Sequence, residues 1–283
     1  GCINCLVPSV ELVDMYEYKD GRPFDWDELF PGFSTNKSIK EKVFYSTFDE
    51  KGQYVAAYPE NVDKLRKMYS ERDPRMESTI ILPYTENLYK GWVNNAKKDC
   101  EMVLAPSNPA NETYGYCRNA FGHNTYLYRK FTPEYDMDGL IADRFHSPVN
   151  FPIIRYADVL LMLAECYNET SNLSGAVELV NQVRERAGIA LLNSGPAYLS
   201  VTTKDQVFER IQKERAVEFA AEGLRFYDLK RWGLYISKTN GQKQTDLVGS
   251  VLSTKVTEQK NMYWPIPQEE RDMNPNLTQN ASW

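Results

Sequence analysis

Glu214, Glu218 and Glu222 stand four residues apart, with Arg210, Arg215 and Arg225 three or four positions from one or another of them. Two carboxylates held at a defined separation are the chemistry of glycoside hydrolysis. On one helix face, however, like charges at that spacing repel unless cations offset them. With an arginine in reach of each, the cluster is read as a structural ion network and not as a catalytic pair. Nothing else points to catalysis: the chain has no GxSxG, Walker, HExxH or EF-hand pattern. No metal or other cofactor is expected either. The only histidines are His123 and His146, and Cys2-x2-Cys5 is a lone CxxC without a second pair. Cys100 and Cys117 flank a loop and could pair in an oxidising compartment, but the preferred reading is that the cysteines are free.

A second set of residues could bind without reacting. Trp26, Tyr84, Tyr89, Trp92, Tyr114 and Tyr116 lie in segments that lack helical periodicity, in a chain with 20 Asn. Ring faces cover the C–H surfaces of a neutral polar ligand while amides bond its hydroxyls. These six are the candidate ligand-binding platform, and the competing reading of each is an aromatic packed within its loop. Aromatics make up 13% of the chain, yet its mean hydropathy is −0.55, a combination that suits such recognition. Trp232 and Trp264 sit in motifs read as core and are set aside.

The elements that must position these residues fall into three stretches. Residues 1–150 alternate short helical and turn signals and then become irregular. Ser9 can cap a segment Val10–Tyr16, and Asn61 can cap Val62–Tyr69, whose Val62, Leu65, Met68 and Tyr69 form a stripe. Arg72-Asp73-Pro74-Arg75 breaks that helix, because the residue before proline is pushed out of the α region. In 84–150 only Thr125–Phe131 reads as a strand. A long irregular stretch within a compact chain is usually functional or disordered, and its aromatics argue against disorder.

From Phe151 the pattern turns helical. Ile154, Ala157, Leu160, Leu161, Ala164 and Tyr167 recur at helical spacing, Ser171-Asn172 turns, and Ser174 can cap Ala176–Ala187, which Gly188 ends. Leu160, Leu163, Ala164, Tyr167, Ala176 and Val180 fit the tetratricopeptide hairpin, with Ala164 facing Ala176. Thr203-x-x-Gln206 is a capping box opening a helix to about Ala221, and Gly223 separates it from Leu224–Trp232. This second unit is a degenerate repeat, because Arg210 and Glu214 occupy apolar positions. The tail, 234–283, has no long helix and is expected to wrap the core with its extended Tyr263–Pro267.

Charge and length narrow the class further. Lys+Arg 33 against Asp+Glu 39 gives −6, which argues against a nucleic-acid surface or adhesion to anionic lipid. The longest apolar run, Val159 to Ala164, is too short to cross a bilayer. At 283 residues the chain can bury a core without disulfide or metal staples.

Four signatures then carry a resemblance. They are FPIIRYADVLLMLAE (Phe151 to Glu165), ERAVEFAAEGLRFYDLKRWG (Glu214 to Gly233), WPIP (Trp264 to Pro267) and NPNLTQN (Asn274 to Asn280). In order and spacing they resemble the SusD/RagB family, and RDPR at Arg72 to Arg75 is similar to it too. The resemblance covers the C-terminal half of a usual member. Gly1-Cys2 resembles the end of a lipobox without its apolar segment. It implies a mainly α fold, single over 1–283, of tetratricopeptide-like helix hairpins with a long irregular loop-rich region and few short strands. It also implies a non-catalytic, surface-exposed outer-membrane lipoprotein. Such a protein binds an oligosaccharide or polysaccharide and lies on a SusC-type TonB-dependent transporter, its membrane contact made through an anchor outside this chain. A peptide-binding repeat scaffold would need instead an apolar groove along the helices. A glycoside hydrolase would need two carboxylates roughly 5–10 Å apart in a cleft.

Overall fold

The computed structural model describes residues 7–48, 54–57, 59–85, 89–93, 96–100, 102–104, 124–131 and 149–283. The first part is built from short elements: α1 (Val10–Asp14), α2 (Trp26–Leu29), α3 (Lys37–Phe44), β1 (Thr47–Phe48) and β2 (Tyr54–Ala57). Next come α4 (Val62–Glu71), α5 (Pro74–Thr79), β3 (Ile80–Ile81), β4 (Tyr89–Val93), β5 (Ala96–Cys100) and β6 (Leu127–Tyr128). Longer helices follow: α6 (Tyr156–Glu169), α7 (Leu173–Ala187), α8 (Lys204–Glu218) and α9 (Leu224–Arg231). The tail carries α10 (Tyr235–Thr239), β7 (Lys243–Thr245), β8 (Val251–Thr254) and α11 (Gln268–Met273). The described strands pair only in antiparallel twos: β1 with β2, β3 with β6, β4 with β5, and β7 with β8. The fold is mainly helical with a few short strands, as expected.

Local chemistry explains most helix limits. Ser9 accepts from the Leu12 N–H at 3.2 Å to open α1, and Thr203 with Gln206 completes the capping box of α8. Asn61 stands at the start of α4, but its side chain makes no cap bond. Helix α7 begins earlier than the serine cap implied. Asn172, not Ser174, accepts from the Gly175 N–H at 3.1 Å, and the helix opens at Leu173. Gly188 ends it with φ 75°, a left-handed conformation that glycine adopts without a Cβ penalty. Helix α8 stops at Glu218, short of Ala221, because Ala221 (φ 67°) and Gly223 (φ 80°) both turn left-handed. The strand expected over Thr125–Phe131 shrinks to Leu127–Tyr128, opposite Ile81 and Ile80, and Phe131 leaves it at φ 65°.

Two cores result. In the helical layer α6, α7 and α8 pack on Leu160, Leu161, Val180, Val207 and Ile211, with Ala164 and Ala176 fully buried at the hairpin. The other core is aromatic. Trp26 of α2, Phe44 of α3, and Phe30 and Phe33 from the connection between them gather with Tyr16, Leu65, Met68, Met76 and Tyr126. The rings meet edge-on or stacked, the arrangements their quadrupoles favour: Trp26 lies 4.4 Å from Phe33 at 14°, and Phe24 stands 4.9 Å away at 79°.

A buried ionic seam joins the cores. Arg75 donates to Glu214 at 2.6 Å and Glu218 at 3.0 Å, and Arg184 bridges Glu17 at 2.9 Å and Glu214 at 3.2 Å. Arg210 and Lys213 close on Glu17 at 2.6 and 2.7 Å. This is why charged residues occupy apolar positions of the degenerate repeat: Arg210 and Glu214 face an ionic seam with Glu17, Arg75 and Arg184, not an apolar helix surface. Arg72, 1% exposed, donates to the backbone carbonyls of Val13 (2.8 Å) and Tyr16 (2.6 Å) and lies over the Phe24 ring at 3.6 Å. The Arg72–Arg75 motif is thus a clamp as well as a helix break.

Candidate functional site

Among the described residues a cavity of about 140 Å³ opens beside the aromatic core. Asp14 of α1 and Lys40 of α3 line it with Trp26, Phe33 and Phe44, together with Thr245 at the end of β7 and Asp246 and Leu247 of the turn that follows. The turn is held by Asp246, whose Oδ1 accepts from the N–H groups of Val248 (3.1 Å) and Ser250 (2.7 Å). Asp14 accepts from the Trp26 indole N–H at 2.9 Å. Burial pushes the Asp14 carboxyl up to about 6, with that hydrogen bond and the charge of Arg72 only partly offsetting it. Among the described residues neither Asp14 nor Lys40 is in an ion pair. The cavity therefore offers one carboxyl that titrates near neutrality and one ammonium, over an aromatic floor. It can hold a small polar group. It does not present a catalytic pair, because the second carboxylate, Asp246, is tied into its own turn.

The six proposed platform residues separate. Trp26 is 7% exposed, with its ring packed against Phe33, Phe24 and Phe44, and it lines the cavity. Tyr84 is fully buried; its hydroxyl donates to the Phe44 carbonyl and accepts from Ser46 at 3.1 Å and the Leu104 N–H at 3.0 Å. Both are packed core aromatics, Trp26 at the cavity wall and Tyr84 with no exposed surface, where the sequence-based expectation is a loop platform. Tyr89 and Trp92 lie on β4, opposite Cys100 and Lys97 of β5. Tyr114 and Tyr116, like Cys117, fall outside the described residues. Trp232 is half-buried and donates to Glu165 at 2.8 Å. Trp264, set aside as core, is 79% exposed and corrects that reading. The cavity's own residues, Asp14 and Lys40, carried no sequence signal beyond being charges on short amphipathic helices.

The glutamate row is structural, but through other partners than those expected. Glu218 receives Arg155 at 2.8 Å, Arg75 at 3.0 Å and Arg186 at 2.5 Å. Glu222 receives Arg155 at 2.7 Å and Lys130 at 2.5 Å. Arg215 turns instead to Asp158 (2.7 Å) and Asp228 (2.8 Å), and Arg225 to the Gln212 carbonyl (3.2 Å). The row faces inward, so residues from α5, α7 and the start of α6 neutralise it. Burial opposes the Glu218 charge, but the Arg155 hydrogen bond and the charges of Arg75 and Arg186 outweigh it and pull the carboxyl down to about 2. Each carboxylate is saturated with cations, unlike the paired acid and base of a glycosidase. Among the described residues no group of three or more His, Cys, Asp or Glu could hold a metal ion.

Comparison with known proteins places this arrangement. The family model of the SusD family matches residues 1–283. The chain belongs to the SusD family. SusD-like protein P38 of Formosa agariphila is 32% identical over 243 residues, 80% of this chain and 45% of that protein. A SusD-like protein of Bacteroides ovatus is 38% identical over 107 residues, 37% of this chain and 17% of that protein. The crystal structure of a SusD-like protein from Bacteroides fragilis shares the fold at TM-score 0.66 and 22% identity, covering 98% of this chain and 47% of that one. The chain thus spans about half the length of those relatives or less. The SusD family is known for glycan binding, and its members are in general non-catalytic surface proteins of the outer membrane. No helix among the described residues is long and apolar enough to cross a membrane.

Proposed function

We propose that this chain belongs to a surface lipoprotein that binds oligosaccharide without cleaving it and hands it to a SusC-type TonB-dependent transporter. The observation that carries the reading is the family match along residues 1–283. The saturated glutamate row supports its non-catalytic side. Ligand capture is assigned to the surface of 1–150, with Tyr89, Trp92, Tyr114 and Tyr116 as the remaining platform residues. Stacked rings and a few hydroxyl bonds, each hydrogen bond worth about 0.5–1.5 kcal/mol net, give micromolar to millimolar affinity. A neutral sugar also makes that affinity nearly insensitive to salt. Affinity electrophoresis of the full-length protein against a polysaccharide panel tests this, with Trp92→Ala and Tyr89→Ala compared at low and high salt. Retention without product, weakened by either substitution, is expected. Tight, strongly salt-dependent binding or release of cleaved product overturns the reading.

A further inference from the structure

The cavity beside Asp14 carries charges of both signs that do not meet. Asp14 Oδ1 accepts from the Trp26 indole, and Oδ2 has no partner among the described residues. Lys40 makes no ion pair or side-chain hydrogen bond among those residues, and its ammonium lies 5.4 Å from the centre of the Phe33 ring. Gly249, at φ 84°, clears its place, because a Cβ there would stand 3.2 Å from Lys40 Nζ. The Lys40 charge still reaches Asp14, though less than those of Arg72 and Glu11. Asp246 adds a second carboxylate to the lining. Burial raises the Asp14 carboxyl only to about 6, so at pH 7 most of it is ionised. A carboxylate drawn out of water without a close counter-charge is costly, and a ligand that supplies one removes that cost.

Size and charge select the occupant. A cavity of about 150 Å³ takes a benzene ring, so the space of about 140 Å³ here suits a molecule of about six non-hydrogen atoms. A sugar ring with its hydroxyls has about twice that number and does not fit within it. A ligand with only a negative charge would meet Asp14 and Asp246, and one with only a positive charge would meet Lys40. A small zwitterion satisfies all three. Its ammonium turns to the two carboxylates, its carboxylate to Lys40, and a short apolar side chain to Phe44 and Leu247. We propose that this cavity is a binding site for a free zwitterionic α-amino acid with a small side chain, of the size of alanine. The inference is independent of the glycan reading, and glycan-binding results leave it untouched.

Isothermal titration calorimetry of the full-length protein with L-alanine tests this. Saturable binding at one site per chain is expected. Alaninamide keeps only the ammonium and N-acetylalanine only the carboxylate, and each should bind at least tenfold more weakly, because each leaves one protein charge unmet. Lys40→Met should weaken L-alanine by at least tenfold while leaving the melting temperature of the free protein unchanged. No saturable heat with L-alanine up to about 10 mM overturns the proposal. Binding that survives Lys40→Met overturns it by placing the amino acid elsewhere. Alaninamide binding as tightly as L-alanine overturns it in favour of the amino terminus of a peptide, and equal binding of N-acetylalanine overturns it in favour of a simple anion.

Discussion

The aromatic core around Trp26 and the helical layer around Ala164 exclude water equally well but are assembled in opposite ways. In the layer, aliphatic side chains recur on three helices adjacent in sequence, so contacts are local and each helix carries its own pattern. In the aromatic core, rings from helices of four and eight residues meet Tyr126 and Leu247, far away in the chain. Short helices do not hold themselves in water. The aromatic core therefore depends on clamps, namely Arg72 on the carbonyls of Val13 and Tyr16 and the ionic seam, in a way the layer does not.

The strongest way to break this contrast is to cut the seam. Glu218→Gln leaves Arg75, Arg155 and Arg186 facing a neutral amide, and losing one partner of a buried pair costs about 3–5 kcal/mol. The aromatic core should loosen first, its near-UV circular-dichroism transition falling below the far-UV one, while glycan affinity is preserved. Loss of turnover of a glycoside in a folded variant would instead revive the enzyme reading. The same carboxyl sets an acid limit. Its folded pKa, about 2, lies below its usual 4.5, so its stabilisation is complete above pH 4.5 and disappears as pH falls toward 2.

Trp26→Ala attacks one side only. A large-to-small change at a buried aromatic costs about 3–5 kcal/mol. Hydrogen exchange should show α1–α3 losing protection while α6 and α7 keep theirs; uniform loss would mean the two cores are a single cooperative unit. Ala164→Leu is its counterpart in the layer. Overpacking where the hairpin helices touch costs about 1–3 kcal/mol, and an unchanged melting temperature would remove the close contact on which the hairpin reading rests.

The smallest effect belongs to Asp14. Its folded pKa, about 6, lies above its usual 3.8, so its favourable contribution is present below pH 3.8 and lost as pH rises through 6. Asp14→Asn, which can keep the acceptor for Trp26, should raise stability at pH 7 by about 1–2 kcal/mol and change nothing near pH 3.5. Denaturant midpoints at the two pH values measure this directly.

The same contrast explains what was legible in the sequence. Helical period, the Thr203 capping box and Gly188 act within a few residues, so α6, α7 and α8 could be read with errors of only a few positions at their ends. The family signatures lie largely on those helices and on the tail. The partners of the glutamate row could not be read, because Arg75 reaches Glu214 across 139 positions, whereas Arg215 sits beside the row and turns elsewhere. Trp26 and Tyr84 were misread for a related reason. In segments without period, an aromatic that builds a core and one that meets a ligand look alike, and only the rings stacked on Trp26 decide. Trp264 fails in the other direction, a motif residue whose ring lies open.

The burial of so many guanidinium groups also makes the chain selectively resistant to trypsin. That protease must draw an arginine side chain into its own pocket, with the flanking backbone extended. Arg72, Arg75, Arg184 and Arg215 are held by carboxylates or carbonyls inside the protein. Cleavage at each of those four bonds then requires the contacts holding that arginine to open first, so the order in which tryptic fragments appear reports which part of the protein loosens before the rest.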